Sequence, residues 1–320
     1  KQRGRGTYAN DRPPVVGTVG RDSGQARLRV VMDTTGDTLV KPVHQFTQAS
    51  AHVYTDEYQS YNHVIRPHST VSHGIKEWAR DDDGDGIREV HCNTSEGMWT
   101  DVRNFLRPFK GVHKKYLGGY IAIAEFRRNL KRISPAFVSS LVVFHSWLNY
   151  GKSVNEGKLL GMEFPIVDLL SEEECEQWLT KHFHPQGLKC PRCGAGVEEA
   201  YHFRKTKRSG LMVYRCKHCL QPYNVYSRTV FEQRHLTPAQ TILLLRGVLK
   251  GEPARTLAAE LSLHEVTVLE LRRDLQANAM LLQPDSALPD HQTETDEMFQ
   301  NAGEKRRRTL GPARPAAPPG

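Results

Sequence analysis

The sequence has no long apolar run, and its cysteines are few. The longest apolar stretches, such as Leu141–Phe144, are far too short to span a bilayer, so no membrane partner is expected. The basic start of the chain is followed by no apolar segment, and no signal peptide is predicted. Without a secretory signal, the pairing of four of the six cysteines in Cys-x-x-Cys units indicates a metal site rather than disulfides. We therefore expect a cytoplasmic protein.

The chain also lacks an excess of acidic residues. The 44 Lys and Arg residues outnumber the 36 Asp and Glu residues, which gives a formal net charge of +8. A basic balance favours a polyanionic partner such as nucleic acid. The length of 320 residues predicts two or three domains, because single hydrophobic cores rarely grow beyond about 250 residues.

The two Cys-x-x-Cys pairs form the most specific local pattern. Cys190 and Cys193 are separated from Cys216 and Cys219 by the 22 residues 194–215, which contain two aromatic, strand-like segments. Four thiolates at this spacing can close a tetrahedral Zn²⁺ site in a zinc ribbon. A closed site leaves no open position for a substrate, so the zinc is predicted to be structural. Cys175 lies on the apolar face of a short predicted helix and is expected in the core.

An acidic residue ends a predicted strand in the first half of the chain. The β-branched and aromatic residues of Ser50–Thr55 predict a buried strand, and Asp56 follows it. In open α/β sheets, ligands bind outside the carboxyl ends of the strands, so Asp56 is a candidate for chemistry. A helix-capping role is the alternative for a single Asp at this position.

A second candidate segment lies at 91–103. Its apolar spacing predicts a helix that begins near Asn93, with Glu96 in the first turn. Arg103 lies seven residues after Glu96, about two turns along the same helix face. The alternative is an N-cap Asn followed by an ordinary acidic first turn.

The acidic segment 81–86 resembles only half of a calcium loop. Its aspartates and glycines fit the first half of an EF-hand, but the position that needs a bidentate Glu is Cys92. We therefore expect a solvated acidic loop.

Three helices are predicted near residues 236–276. Leu236–Lys250 is followed by Ala254–Leu261 and by a helix from Glu265 to Gln276. The tight turn between the last two helices predicts a helix-turn-helix, with a generic three-helix bundle as the alternative. The exposed face of the last helix is predicted to contact DNA through Thr267, Arg272, which is expected to be partly exposed, and Arg273.

The order of these pieces resembles a known family. A zinc ribbon, a helix-turn-helix and T-E-T-D-E-M-F at 293–299 resemble the amino-terminal half of insertion-sequence transposases of the group numbered fifteen ninety-five (ISXO-like). A hairpin at 14–32, Y-T-D-E-Y-Q-S-Y at 54–61 and H-C-N-T-S-E-G-M-W at 91–99 resemble the carboxy-terminal half. The halves therefore stand in circularly permuted order, and reading from Gly320 to Lys1 restores a continuous family-like sequence.

The resemblance implies an α/β chain with a mixed RNase-H-like sheet and a catalytic triad. Asp296 would be the first acid, Asp56 the second, and either Asn93 or Glu96 the third. Their oxygen ligands would hold Mg²⁺ or Mn²⁺, and Arg103 and Lys110 would contact phosphates. The implied reaction is DNA strand cleavage at the terminal inverted repeats of the element, followed by strand transfer into target DNA.

The resemblance also implies partners and boundaries. We expect a homodimer or higher oligomer, associated with the nucleoid of a prokaryotic cell. The predicted parts are the RNase-H-like region 1–140, a linker at 141–161, a helix and zinc ribbon at 162–232, a helix-turn-helix at 233–284, the first core strand at 290–302 and a disordered basic, Pro-rich tail at 303–320. In this arrangement the strand Gln292–Phe299 lies between the hairpin and the Asp56 strand. A catalytically inactive DNA-binding protein, and more remotely a purely structural zinc protein, are the alternatives.

Overall fold

The computed structural model describes residues 6–130, 132–143 and 171–300. Its helices are α1 (Gly36–Phe46), α2 (Asn93–Leu106), α3 (Lys114–Asn129), α4 (Pro135–Val142), α5 (Glu172–Phe183), α6 (Pro238–Lys250), α7 (Ala254–Glu260) and α8 (Glu265–Leu282). Its strands are β1 (Pro14–Gly20), β2 (Ala26–Val30), β3 (His52–Asp56), β4 (His68–Val71), β5 (Ala79–Arg80), β6 (Val90–His91), β7 (Ala200–Lys205), β8 (Met212–Cys216), β9 (Pro222–Tyr223) and β10 (Gln292–Phe299). The predicted tail at 303–320 and most of the predicted linker lie outside the described residues.

The last strand of the described chain lies at the centre of the largest sheet. The five strands have the order β2-β1-β10-β3-β4. β10 pairs antiparallel with β1, with Asp296 opposite Gly17, and parallel with β3, with Thr293 opposite Val53. These pairings confirm the predicted insertion of 292–299 between the hairpin and the Asp56 strand, and they make the sheet mixed.

Both faces of this sheet are covered, which explains the apolar character of its strands. Successive side chains of a strand point to opposite faces. Val15 packs in the cluster that contains Met98 and Trp99 of α2, whereas Val16 packs with Leu39 of α1. The sheet is therefore held between two helical layers.

Polar side chains of α3 cover the open edge of β2. Glu125 Oε2 accepts a hydrogen bond from Leu28 N at 2.8 Å, and Asn129 both accepts from Ala26 N and donates to Ala26 O at 2.8 Å. An exposed strand edge is a template for unwanted pairing, and these contacts occupy it. The Glu125 carboxylate is fully buried, and burial raises its pKa.

The second half of the chain packs on the same core. One hydrophobic cluster contains residues of the sheet, of α2–α4 and of α5–α8, including Cys175, which is confirmed as a core residue. Asn278 of α8 connects this helix to the end of α4, because its Nδ2 donates a hydrogen bond to Leu141 O at 2.8 Å. Helix α4 extends to Val142, two residues into the predicted linker. Within the described ranges, no helix has the length and apolar character needed to cross a membrane.

Candidate functional site

A cavity of about 380 Å³ lies at the end of β3, beside β10. Its walls are formed by α2, by the two strands and by the segment after β4. The lining residues are Asp56, His73, Cys92, Glu96, Trp99, Thr100, Arg103 and Asp296. Four of the predicted catalytic residues, from three distant parts of the sequence, therefore line one cavity.

Asp296 is fixed by two hydrogen bonds. Trp99 Nε1 donates to its Oδ2 at 2.9 Å, and the backbone N–H of Glu297 donates to Oδ1 at 2.7 Å. Burial, followed by the neighbouring Asp56 carboxylate, raises the pKa of Asp296 to about 6, although both hydrogen bonds and Arg103 oppose the shift. A buried carboxylate whose pKa is raised further by a neighbouring carboxylate would gain from a bound cation.

Asp56 is held by the turn that follows β3. Its Oδ1 accepts from Tyr58 N at 3.0 Å, and the described residues supply no hydrogen-bond partner for Oδ2. Burial raises the pKa of Asp56, and the hydrogen bond from Tyr58 and the nearby His73 partly oppose the rise. The carboxylate thus keeps one oxygen available towards the cavity.

Helix α2 brings Glu96 and Arg103 to the site, as their seven-residue spacing predicts. Asn93 is exposed at the first position of α2 and does not line the cavity. Of the two candidates for the third group, Glu96 lines the cavity and Asn93 does not. Lys110 is exposed after the end of α2 and also lies outside the cavity lining.

A buried glutamate, which the sequence reasoning missed, connects β10 to α2. Glu294 is completely buried; Arg21 Nε donates to its Oε1 at 2.8 Å, and the Ser95 backbone N–H donates to its Oε2 at 2.8 Å. Glu294 lies two residues before Asp296, and Ser95 directly precedes Glu96. This pair therefore sets the position of α2 relative to Asp296. An acidic side chain between two threonines of a central strand was the available signal.

The four predicted zinc ligands meet in the ribbon. Within the described residues, the Sγ atoms of Cys190, Cys193, Cys216 and Cys219 all lie within 4.8 Å of one another. Cys190 Sγ lies 3.4 Å from Cys219 Sγ, and Cys193 Sγ lies 3.5 Å from Cys216 Sγ. Four thiolates at these separations fit a tetrahedral site with Zn–S bonds of about 2.3 Å. These residues support a structural zinc.

A second group of ligand atoms is exposed in the acidic loop. Among the described residues, Asp81, Asp83 and Glu89 also bring their oxygens within 4.8 Å of one another. Backbone N–H groups of the loop already occupy Asp81, with Gly84 N at 2.6 Å and Gly86 N at 2.9 Å. These hydrogen bonds within the loop stabilise its conformation. The three cavity carboxylates are spaced more widely than this group.

One predicted DNA contact is wrong. Arg272 is only 3% exposed, donates a hydrogen bond to the backbone oxygen of Glu252, and stacks on the Phe109 ring at 5.3 Å. It packs α8 against the region after α2 and is not on the exposed face of the helix. Arg273 is exposed above the Tyr116 ring at 4.6 Å, and Thr267 is half-buried.

Two family models match the chain, and together they place it among the transposases. Residues 1–129 match the ISXO2-like transposase domain, and residues 170–221 match the transposase zinc-ribbon domain. The two matches support an IS1595-family transposase, as the motifs predict. The transposase-domain match does not favour the alternative of an inactive DNA-binding protein.

A curated relative points to the same kind of element. It is the "Uncharacterized protein in transposable element ISH50" of Halobacterium salinarum (strain ATCC 700922 / JCM 11081 / NRC-1). The two proteins are 30% identical over 131 residues, which is 41% of this chain and 43% of the relative. The chain thus matches less than half the length of that relative. No solved structure was found to match the chain.

Proposed function

We propose that the chain catalyses metal-dependent DNA strand cleavage and strand transfer for an insertion sequence. The observation that carries this proposal is the shared cavity of Asp56, Asp296, Glu96 and Arg103. The match of residues 1–129 to a transposase domain supports DNA as the substrate. Asp296, Asp56 and Glu96 are the proposed catalytic acids.

The donor set of the cavity fits Mg²⁺ or Mn²⁺. Hard cations prefer carboxylate oxygens, and burial raises the pKa values of Asp56 and Asp296, so a bound cation would stabilise their ionised forms. Asp56 and Asp296 would hold the ion, with Glu96 as the third ligand. When bound, the metal would activate the attacking oxygen and stabilise the leaving oxygen.

The protein groups would orient the DNA and the carboxylates. Trp99 and the Glu297 N–H fix the rotamer of Asp296, while Arg103 offers a cation for a phosphate. In cleavage, an oxygen from water bonds to phosphorus as the bond to the leaving deoxyribose oxygen breaks. In transfer, a DNA 3′-hydroxyl takes the place of water. Lys110, exposed after α2, would bind phosphate further along the strand.

The architecture supports further proposals about domains. The position of β10 between an antiparallel hairpin and the parallel strand β3 supports an RNase-H-like core with permuted halves. Gln300 N donates to Pro13 O at 3.2 Å, so the end of the second half adjoins the start of the first. We retain the predicted boundaries and add all of α4 to the first part. The predicted parts are 1–140, 141–161, 162–232, 233–284, 290–302 and 303–320.

The partners follow from the same reaction. Helices α6–α8 are proposed to form a helix-turn-helix, with Thr267 and Arg273 facing the terminal repeats of the element. Joining two element ends to a target favours a homodimer or higher oligomer. DNA as substrate also supports a place at the nucleoid in the cytoplasm.

Nicking of DNA tests the proposal. A supercoiled plasmid carrying the terminal repeats is incubated with the purified chain, with and without Mg²⁺, and the nicked product is measured. We expect nicking only with Mg²⁺, and its loss in Asp56→Asn with DNA binding retained. Asp83→Asn, in the exposed acidic loop, is the matched control and should cleave normally. Equal nicking by Asp56→Asn would refute the proposed site.

A further inference from the structure

The zinc-ribbon hairpin has an aromatic and basic face that the reaction described above leaves unused. Tyr201 is 59% exposed and Phe203 is 43% exposed, although large aromatic side chains are usually mostly buried. Both lie on β7, in which residues 201–205 are all exposed. Tyr201 pairs across the hairpin with Arg215 of β8. Phe203 lies at a register irregularity between His202 and Arg204, and Arg215, the partner of Tyr201, lies against the Phe203 ring, so both rings lie beside Arg215.

Cations lie against both rings. The Arg215 guanidinium stacks on Phe203 at 4.1 Å, Arg204 lies 5.6 Å from the same ring, and Lys217 Nζ lies 5.4 Å from Tyr201. Together these five residues form the aromatic–basic face. The opposite side of the hairpin is different, because His202 and Tyr214 pack edge to face there at 5.2 Å.

The charge of this region matches a polyanion. Residues 200–218 contain six Lys and Arg residues and no Asp or Glu, against a net charge of +8 for the whole chain. Glu199, just before β7, is paired with His218 at 3.2 Å. At the hairpin tip, Lys205, Lys207 and Arg208 share a shallow cavity with Glu172, Glu173 and Glu176, so their charge is partly balanced. On the aromatic–basic face, Lys217 Nζ donates to the backbone oxygen of Glu198 at 3.5 Å, and among the described residues the cations of the face form no ion pair with a carboxylate.

We infer that the aromatic–basic face binds single-stranded DNA by stacking unpaired bases on Tyr201 and Phe203. Aromatic rings on a flat strand surface, interleaved with cations, are suited to unpaired bases because each base has an accessible π-face and a charged backbone. In a duplex, neighbouring bases cover those π-faces. The inference rests on the proposed function for the choice of DNA, since a strand cleaved at an element end can separate from its partner and leave nucleotides unpaired.

Binding measurements separate stacking from charge. The full chain is titrated without added Mg²⁺ against a fluorescent single-stranded probe of mixed sequence and against its duplex. The probe has about 20 nucleotides, which is long enough for about two binding sites of this kind. We expect Tyr201→Ala/Phe203→Ala to weaken single-strand binding by about tenfold or more, with duplex affinity changed less than about twofold. Tyr201→Phe keeps an aromatic ring and should retain single-strand binding. Leu220→Ala, at another exposed ribbon position, should have no effect on binding.

The charged residues give an independent readout. Lys217→Gln should reduce the slope of log affinity against log salt concentration by about 0.7 for single strands. Zinc content at the wild-type level confirms that each variant is folded. Unchanged single-strand affinity in the double aromatic variant, equal losses for duplex and single strand, or tighter binding of an RNA strand of the same sequence would each overturn the inference. Because the assay needs no cleavage, failure of the proposed catalytic function leaves this result interpretable.

Discussion

Trp99 Nε1 donates a 2.9 Å hydrogen bond to Oδ2 of Asp296, so the helix that carries Glu96 also holds the carboxylate of the central strand. The indole is almost completely buried against the sheet. One residue therefore fixes both the rotamer of Asp296 and the distance between α2 and β10. Relative movement of the two elements would separate the proposed metal ligands.

Replacing this indole should impair cleavage. In Trp99→Phe the hydrogen bond to Asp296 is lost, and its loss raises the pKa of Asp296 further, because that bond lowers it. We expect cleavage to fall about tenfold at neutral pH, since a hydrogen bond to a charged group contributes about 1.5–3 kcal/mol, and to recover in part at higher pH. Trp178→Phe, a buried tryptophan of α5, is the matched control. Equal losses in both variants would mean that the effect is general destabilisation.

The third ligand can be identified by comparing two positions of α2. Glu96→Gln removes a carboxylate that lines the cavity. We expect it to reduce the cleavage rate by at least about a hundredfold, because the loss of one group that stabilises the transition state has an effect of this size. Asn93→Ala changes an exposed residue outside the lining and should cleave within about threefold of the wild type. Single-turnover cleavage rates decide between them. The reverse pattern would assign the role to Asn93.

Zinc removal should unfold the ribbon locally. Cys216→Ser removes one of four thiolates, and because such a site stabilises a module with a small core, we expect loss of bound zinc and of ordered structure around 186–226. Elemental analysis should give one zinc per wild-type chain and none in the variant. Hydrogen exchange would show faster exchange in β7 and β8. Retention of zinc by Cys216→Ser would contradict the four-cysteine site.

The buried Glu125 should make stability depend on pH. Burial raises its pKa in the folded state, so the folded state favours the protonated form, and stability falls as pH rises from the unfolded pKa through the raised folded pKa. Glu125→Gln keeps an oxygen for the Leu28 N–H and removes the charge. We expect the melting temperature of the variant, relative to the wild type, to be higher at about pH 8 than at about pH 5. A difference that is independent of pH would show that Glu125 does not titrate in this range.

The sequence predicted the elements of the site better than their mutual arrangement. The strand before Asp56 and the helix from Asn93 follow from local pattern, and the central position of β10 follows from the resemblance. Helix α1 is difficult to predict from the sequence because Pro42 lies inside it and removes a backbone donor. The burial of Arg272 could not be foreseen, since Phe109, which covers it, lies more than 160 residues away in the sequence. The choice between Asn93 and Glu96 depends on side-chain direction, which their spacing alone leaves open.

The most direct test of the central claim is metal rescue at Asp56. Asp56→Cys replaces a hard oxygen ligand by a thiolate, which Mg²⁺ accepts poorly and Mn²⁺ accepts more readily. Cleavage of element-end DNA is measured under reducing conditions with each ion, alongside Asp56→Asn. We predict that Asp56→Cys is inactive with Mg²⁺ and regains cleavage with Mn²⁺, while the wild type is active with both. Wild-type cleavage by Asp56→Cys in Mg²⁺ would contradict the claim that Asp56 is a metal ligand.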